Sequence, residues 1–265
     1  MGTSLAELDA IVAGTTTPRL FLRLVADHGD VAAVHSMKDA TPGSWHRWTY
    51  AELAQQVART AAGLAALGVD PGERVLLMMR NRPDFHWLDL GAQFVRATPV
   101  SIYNSSSPEE IQYLSHHAEA RIAIVEDLGF LDRMLKVRDE LPELQRIYVI
   151  EPGADALPEG VHPVSELLGH GEADLDRLAA DTSPDDIATL IYTSGTTGPP
   201  KGVMISQYNV VYTVESLRRC ISFDDYVAKR AVSYLPMAHI AERMMSHYQA
   251  AILGYSVYCC PDPNQ

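Results

Sequence analysis

The chain has 265 residues, of which 47% are hydrophobic and 21% are charged, a composition that suits a globular protein with a large core and argues against disorder. Its 34 acidic residues outnumber its 21 basic ones, and a formal net charge of −13 repels polyphosphate backbones, which argues against nucleic acid as a partner. Three cysteines, two of them adjacent, are too few for a disulfide scaffold and favour a reducing cytoplasm.

The opening segment, residues 1–14, contains acidic residues and lacks the basic stretch and apolar run of a secretory signal. No stretch of the sequence approaches the roughly 20 apolar residues that span a bilayer. We therefore expect a cytoplasmic chain without a transmembrane segment, for which peripheral contact with a membrane stays open.

Apolar and amphipathic runs alternate from residue 74 onward. The apolar runs predict buried strands at 74–79, 98–103, 121–126 and 146–150. The amphipathic runs between them predict helices at 81–97, 106–120 and 127–141. In the second of these helices, Ser107 is the expected N-cap, Pro108 the first helical residue and Glu110 the partner in a capping box. The alternation of strand and helix predicts a parallel sheet with helices on its faces.

Residues 151–186 are rich in acids, prolines and glycines, which predicts a solvated connection with one short helix. Two buried strands are then predicted at 187–192 and 202–206. The remaining predictions are a helix at 206–220 capped by Ser206, a strand at 229–236, a helix at 237–253 and a strand at 254–260.

The loop between the two strands, YTSGTTGPPKGV at 192–203, is unusually rich in glycine and hydroxyl groups. Glycines let backbone N–H groups approach a ligand and hydroxyls add donors, so the loop suits an anion; on composition alone, an ordinary turn is an equally good interpretation. A Walker loop is excluded, because Pro200 precedes Lys201 where glycine is required and Gly202 follows it where Ser or Thr is required. Neither a dinucleotide fingerprint nor a nucleophile elbow occurs in the chain.

The loop does resemble the signature of the adenylate-forming superfamily, which includes acyl-CoA synthetases, luciferases and the adenylation domains of peptide synthetases. Residues 48–81 and 107–127 resemble further segments of the same family. The stretch YLPMAHIAER at 234–243 is most similar to the long-chain fatty acyl-CoA synthetase branch. The resemblance extends from about Thr17 to the end of the chain.

The resemblance implies a two-step reaction in which a carboxylate is joined to AMP and the thiol of coenzyme A then displaces AMP. The implied cofactors and substrates are ATP, Mg²⁺, coenzyme A and a fatty acid. The residues implied to grip the β and γ phosphates are Thr193, Ser194, Gly195, Thr196, Thr197 and Gly198. Lys201 would add positive charge beside the leaving pyrophosphate, and the Thr193 hydroxyl would ligate Mg²⁺.

His239 occupies the position at which the family has a residue lining the carboxylate and AMP pocket. The structural alternatives are a solvated turn lysine at Lys201 and a helix-end histidine with ordinary hydrogen bonds at His239. A metal pair of His239 with Glu242 is disfavoured, because the pattern is not H-E-x-x-H and no third ligand is apparent.

The resemblance also implies an α/β fold of parallel-rich sheets flanked by helices. One subdomain is expected at 71–225, ending with the phosphate loop, and a second is expected from 1–70 together with 226–265. The family's later motifs, including those of its carboxy-terminal lid, have no counterpart in the chain. We therefore expect an amino-terminal portion with exposed apolar surface, which associates readily and needs the carboxy-terminal half as a partner to complete adenylation.

The leading interpretation is a long-chain fatty acid–CoA ligase, represented by an amino-terminal fragment that is inactive alone. Another acyl-CoA or acyl-AMP ligase of the same superfamily is the first alternative. A non-catalytic nucleotide-binding fragment is the second.

Overall fold

The computed structural model describes residues 5–37, 43–193, 198–221, 223, 225–227 and 229–262. The strands are β1 Ala32–Met37, β2 Trp45–Thr49, β3 Arg74–Met78, β4 Thr98–Ser101, β5 Ile122–Asp127, β6 Arg146–Glu151, β7 Val161–Pro163, β8 Ile187–Thr193, β9 Lys201–Ser206, β10 Arg230–Ser233 and β11 Ser256–Cys259. The helices are α1 Leu5–Val12, α2 Thr17–His28, α3 Tyr50–Ala66, α4 Pro83–Phe94, α5 Pro108–His117, α6 Leu128–Leu135, α7 Val164–Leu167, α8 Leu175–Asp181, α9 Gln207–Cys220, α10 Ile240–Glu242 and α11 Gln249–Leu253. A 3₁₀ turn spans Arg138–Glu140, and a π-helical segment spans Arg243–Tyr248.

Within the described ranges the strands form two sheets. The larger has the order β7-β6-β5-β3-β4-β8-β9, and its neighbouring strands are parallel except for the antiparallel pair β8 and β9. The smaller has the order β10-β11-β1-β2 and is mixed. The α/β architecture and the parallel core of the larger sheet are confirmed. The subdomain boundaries at residues 70 and 225 stay a prediction.

The core lies on both faces of the larger sheet. On one face α4 contacts β3 and β4 and also β1 of the smaller sheet, so this helix is buried all round. On the other face α5 and α6 cover the sheet through residues such as Ile111 and Phe130. Helix α5 begins as predicted: the Ser107 hydroxyl accepts a hydrogen bond from the Glu110 N–H at 3.3 Å, and the Glu110 carboxylate accepts one from the Ser107 N–H at 3.0 Å.

Three predictions of secondary structure are wrong in part. The segment 151–186 contains β7, α7 and α8, because its scattered apolar residues, among them Val161 and Leu167, are buried while its acids face outward. Strand β9 was predicted to be buried, but within the described residues it lies at an edge of the larger sheet, and its Met204 side chain is 67% exposed. The predicted helix at 237–253 is divided into α10, the π-helical segment and α11.

Exposed apolar side chains cluster near the smaller sheet, as expected. They are Ile221, Phe223, Val232, Tyr234, Leu235 and Met245. Whether this surface causes association stays a prediction. No helix in the described part of the chain has the length and apolar character needed to cross a membrane.

Candidate functional site

The glycine-rich loop connects β8 to β9, which form an antiparallel hairpin. Thr193, the last residue of β8, is paired in register with Lys201, the first residue of β9. Ser194, Gly195, Thr196 and Thr197 lie outside the described residues. Gly198 has a φ of 86°, a left-handed conformation that favours glycine, so the turn itself requires a glycine at this position.

A cleft of about 730 Å³ opens beside the hairpin and brings two of the predicted site residues together. Thr193 and His239 both line it. Lys201 is exposed and follows Pro200, which also lines the cleft. The other lining residues are Tyr103, Ser105, Ser106, Glu109, Glu110, Tyr113, Leu114, Ile191, Tyr192 and Ile240.

Helix α5 holds β8 and the residue that precedes β9 through two hydrogen bonds. The Tyr113 hydroxyl donates to the Pro200 carbonyl at 2.9 Å, and the Tyr192 hydroxyl lies 2.9 Å from Nδ1 of His117. Burial raises the pKa of Tyr192 to about 12, so its hydroxyl stays neutral at physiological pH. The i, i+4 spacing of Tyr113 and His117 indicates that the two side chains share one face of α5. It does not indicate which residues they contact, because those partners are distant in sequence.

His239 is the N-cap residue of α10, and its side chain is exposed. Its Nδ1 accepts a hydrogen bond from the Ala241 N–H at 3.1 Å, so the neutral ring carries its proton on Nε2. This is the ordinary hydrogen bond expected of a helix-end histidine, and it is compatible with a ligand contact through Nε2.

Glu242, the residue considered with His239 for a metal pair, bonds to the backbone of Leu235. Its side chain is buried, and one carboxylate oxygen accepts from the Leu235 N–H at 3.2 Å. Among the residues that the structure describes, no three His, Cys, Asp or Glu side chains are arranged to hold a metal ion by themselves.

The cleft has the size and some of the ligand groups that a small molecule with a bound magnesium ion would need. Its volume is within the range of small-molecule sites. Thr193, Glu109 and Glu110 supply hydroxyl and carboxylate oxygens, the ligand type that Mg²⁺ prefers, and a magnesium ion shared with phosphates takes only one or two protein ligands.

A second cleft, of about 450 Å³, lies beyond the same short helix. Ile240 lines the first cleft, whereas Ala241 and Glu242 line the second, so α10 separates the two. The walls of this second cleft are mostly apolar and include Phe223, Val232, Tyr234, Leu235, Met245 and Tyr255.

Beneath α10 lies a buried polar network that the sequence analysis missed. The Arg243 guanidinium and the Asp89 carboxylate form an ion pair in which both side chains are fully buried. His247 Nε2 lies 2.9 Å from Asp89 Oδ1, and His247 Nδ1 lies 3.0 Å from His86 Nδ1. Burial opposes ionisation of Asp89, but Arg243 and His247 outweigh this effect and hold the pKa of the carboxyl below its usual range.

The His86 ring makes the stability of the chain depend on pH. Burial, aided by neighbouring His247, lowers its pKa well below the ordinary value. The groups facing it are His247, the Cys259 thiol at 4.0 Å and, beyond His247, the Asp89–Arg243 pair.

The unfolded chain protonates His86 below about pH 6.5 whereas the folded chain does not, so stability is lost as the pH falls below this value, with a slope that approaches about 1.4 kcal/mol per pH unit once the unfolded ring is fully protonated. Urea unfolding at pH 7.5, 6.5 and 5.5 should therefore show a small loss over the first step and a larger loss, of about 1 kcal/mol, over the second. His86→Phe should reduce both losses. An identical slope in the variant would contradict the assignment.

A family model described as "AMP-binding enzyme" matches residues 21–265. The chain is 30% identical over 249 residues to the long-chain-fatty-acid–CoA ligase ACSBG2 of Xenopus laevis, covering 92% of this chain and 33% of that protein. It is 31% identical over 234 residues to the long-chain-fatty-acid–CoA ligase FadD15 of Mycobacterium bovis, covering 84% of this chain and 38% of that protein. The chain therefore spans about a third of the length of these relatives.

Solved structures agree on the fold. The anthranilate CoA ligase AuaEII, in complex with anthranoyl-AMP, superposes with a TM-score of 0.81 at 22% identity, covering 94% of this chain and 45% of that one. The long-chain-fatty-acid-CoA ligase FadD1 of Archaeoglobus fulgidus superposes with a TM-score of 0.77 at 21% identity, covering 94% and 47%. Since the family model matches residues 21–265, which is most of the chain, the chain belongs to the family of AMP-binding, adenylate-forming enzymes.

Proposed function

We propose that the chain supplies the nucleotide-binding part of an ATP-dependent ligase that activates a long-chain fatty acid, first as acyl-AMP and then as acyl-CoA. The observation that carries the proposal is the β8–β9 hairpin. Thr193, the last residue of β8, lines a cleft together with His239, and Lys201, the first residue of β9, is paired with Thr193. An apolar cleft lies behind α10.

In this proposal the hairpin holds the triphosphate of ATP. The Thr193 hydroxyl and the backbone of 194–198 would donate to the β and γ phosphates, and Lys201 would neutralise charge that develops on the leaving pyrophosphate. Magnesium, when bound, supplies further neutralisation of the phosphates, and Thr193 would be its ligand from this chain. His239 would contact the carboxylate and the AMP phosphate through its Nε2–H.

The apolar cleft would take the hydrocarbon part of the acid. Transfer of an aliphatic tail from water to an apolar surface lowers the free energy, and the aromatic and aliphatic walls of this cleft provide such a surface. The long-chain substrate is proposed from the names of relatives about 30% identical to this chain, and coenzyme A is proposed on the same ground. We place the reaction in the cytoplasm, with peripheral contact at a membrane.

Two alternatives differ in what they predict. Another acyl-CoA or acyl-AMP ligase would show the same nucleotide binding with a different acyl selectivity, which chain-length assays would reveal. A non-catalytic nucleotide-binding fragment would bind ATP without turnover under every condition.

The test is a calorimetric titration of the chain with ATP and Mg²⁺, repeated with the carboxy-terminal part of a full-length relative added in trans. We expect binding by the chain alone, and acyl-AMP formation only after the addition. No binding of ATP would reject the proposed function. Acyl-AMP formation by the chain alone would contradict its dependence on the carboxy-terminal part.

A further inference from the structure

The buried ion pair lies one helical turn beyond His239. The Arg243 N–H donates to the His239 carbonyl at 3.1 Å, so the turn that begins at His239 closes on Arg243. The Arg243 side chain is fully buried and points away from the exposed His239 ring into the protein. Whatever fixes Arg243 therefore fixes the backbone turn that presents His239 to the cleft.

Arg243 is fixed by partners on three elements. Its guanidinium pairs with Asp89 of α4, donates to the Ser101 hydroxyl of β4 at 2.6 Å and donates to the Tyr248 hydroxyl at 3.1 Å. It also lies 3.3 Å from the carbonyl of Pro99. Strand β4 is paired with β8, the strand that ends at Thr193, so these contacts connect His239 to the frame of the hairpin.

The second carboxylate oxygen of Asp89, which does not face Arg243, also has two partners. Gln93 donates to Oδ1 at 2.6 Å, and His247 Nε2 lies 2.9 Å from the same atom. Gln93 in turn accepts from Gln207 at 2.7 Å, at the first residue of α9. Through Gln93 and Gln207 the pair is thus connected to α9, which directly follows β9 of the hairpin.

The helix is π-helical at this point. A π segment is rare and is frequently found at functional sites. Here it leaves Arg243 and His247 buried in the network, while Met245 remains partly exposed and lines the apolar cleft. The π-helical segment therefore contributes side chains both to the buried network and to the wall of the apolar cleft.

We infer that Asp89 and Arg243 are positioning residues that hold His239 at the junction of the two clefts, an inference that rests on the proposed function. A buried ion pair adds little stability relative to apolar side chains of similar volume, but its hydrogen bonds have fixed directions. Apolar packing in the same place would hold α10 in the protein but would leave its orientation less defined.

The test compares the wild type with the double variant Asp89→Leu/Arg243→Met, which removes both charges and leaves none unpaired. Histidine ¹⁵N spectra, in which His239→Gln identifies the ring signals, report the tautomer. We expect an Nε2–H tautomer in the wild type and averaging of the two tautomers in the double variant, with a melting temperature close to that of the wild type. We also expect the Kd for ATP and Mg²⁺ to rise by about tenfold or more, because a hydrogen bond from His239 to a charged group is lost.

A matched control removes another Arg–Asp pair at the far end of α4. Arg96 binds Asp186 through two hydrogen bonds of 2.9 Å, and Arg96→Met/Asp186→Leu should leave the His239 signals unchanged even where it lowers the melting temperature. If the Asp89/Arg243 double variant does not fold, the isosteric Asp89→Asn takes its place with the same expected change in the ring signals.

An unaltered His239 tautomer together with an unaltered Kd would overturn the inference. Failure of the wild type to bind ATP would reject the proposed function separately, and the His239 spectra would still show whether the ion pair fixes this ring.

Discussion

Replacing Lys201 with alanine is expected to weaken binding of ATP and Mg²⁺ and, in the complete enzyme, to slow ATP–pyrophosphate exchange by about 100-fold or more, the usual effect of losing one preorganised charge partner in a reaction centre. Lys201 lies opposite Thr193 at the mouth of the hairpin, where its charge would face the departing pyrophosphate. The side chain is exposed, so its loss should leave the unfolding free energy nearly unchanged.

Lys136→Ala is the matched control. Lys136 is also exposed and belongs to an i, i+4 pair with Asp132 beside α6. Isothermal titration and the exchange assay should show the loss for Lys201→Ala alone. Equal nucleotide affinity and equal exchange rates in the two variants would remove Lys201 from the mechanism and favour a solvated turn lysine.

The single substitution Arg243→Met is expected to produce the largest loss of stability, about 3–5 kcal/mol of unfolding free energy, because it leaves the buried Asp89 carboxylate without its counter-charge. Asp89→Leu should lower the unfolding free energy by a similar amount, because it leaves the buried Arg243 guanidinium without a counter-charge. Urea unfolding at pH 7.5 measures both.

Combining the two substitutions should restore most of the lost stability, because no uncompensated charge remains. Strict additivity of the two losses would contradict the account of the network, because it would mean that Arg243 and Asp89 are stabilised by separate partners.

The fold of the larger sheet could be predicted where short-range signals suffice. Apolar runs such as residues 74–79 become strands because a strand in a parallel sheet is covered on both faces and can bury consecutive apolar side chains. The capping box at Ser107 forms as expected because all of its atoms lie within one turn of chain. The hairpin at 192–203 also follows from local chemistry, since glycine and proline there interrupt two strand-forming runs.

Features that depend on distant partners were missed. The interactions of Asp89 and Arg243 join positions that are 154 residues apart, so no local pattern marks them. The π-helical segment begins at Arg243, whose side chain bonds to Ser101 and Asp89, and an α-helical periodicity at 237–253 cannot show this. Strand β7 is short, and its pairing with β6 compensates for a weak apolar signal at 161–163.

The residues of the candidate site also fall into a group that the sequence could predict and a group that it could not. Thr193, Lys201 and His239 could be named from motifs, and the structure places Thr193 and His239 on one cleft with Lys201 beside it. The hydrogen bonds from Tyr113 to Pro200 and between His117 and Tyr192, which hold the hairpin, could not be named because their partners lie 87 and 75 residues away.

A crystal structure of the chain with ATP and Mg²⁺ would test the proposed nucleotide site. We expect the β and γ phosphates against the hairpin between Thr193 and Lys201, with the metal near the Thr193 hydroxyl. Phosphates bound elsewhere, with the hairpin packed closed against α5, would contradict the proposed site.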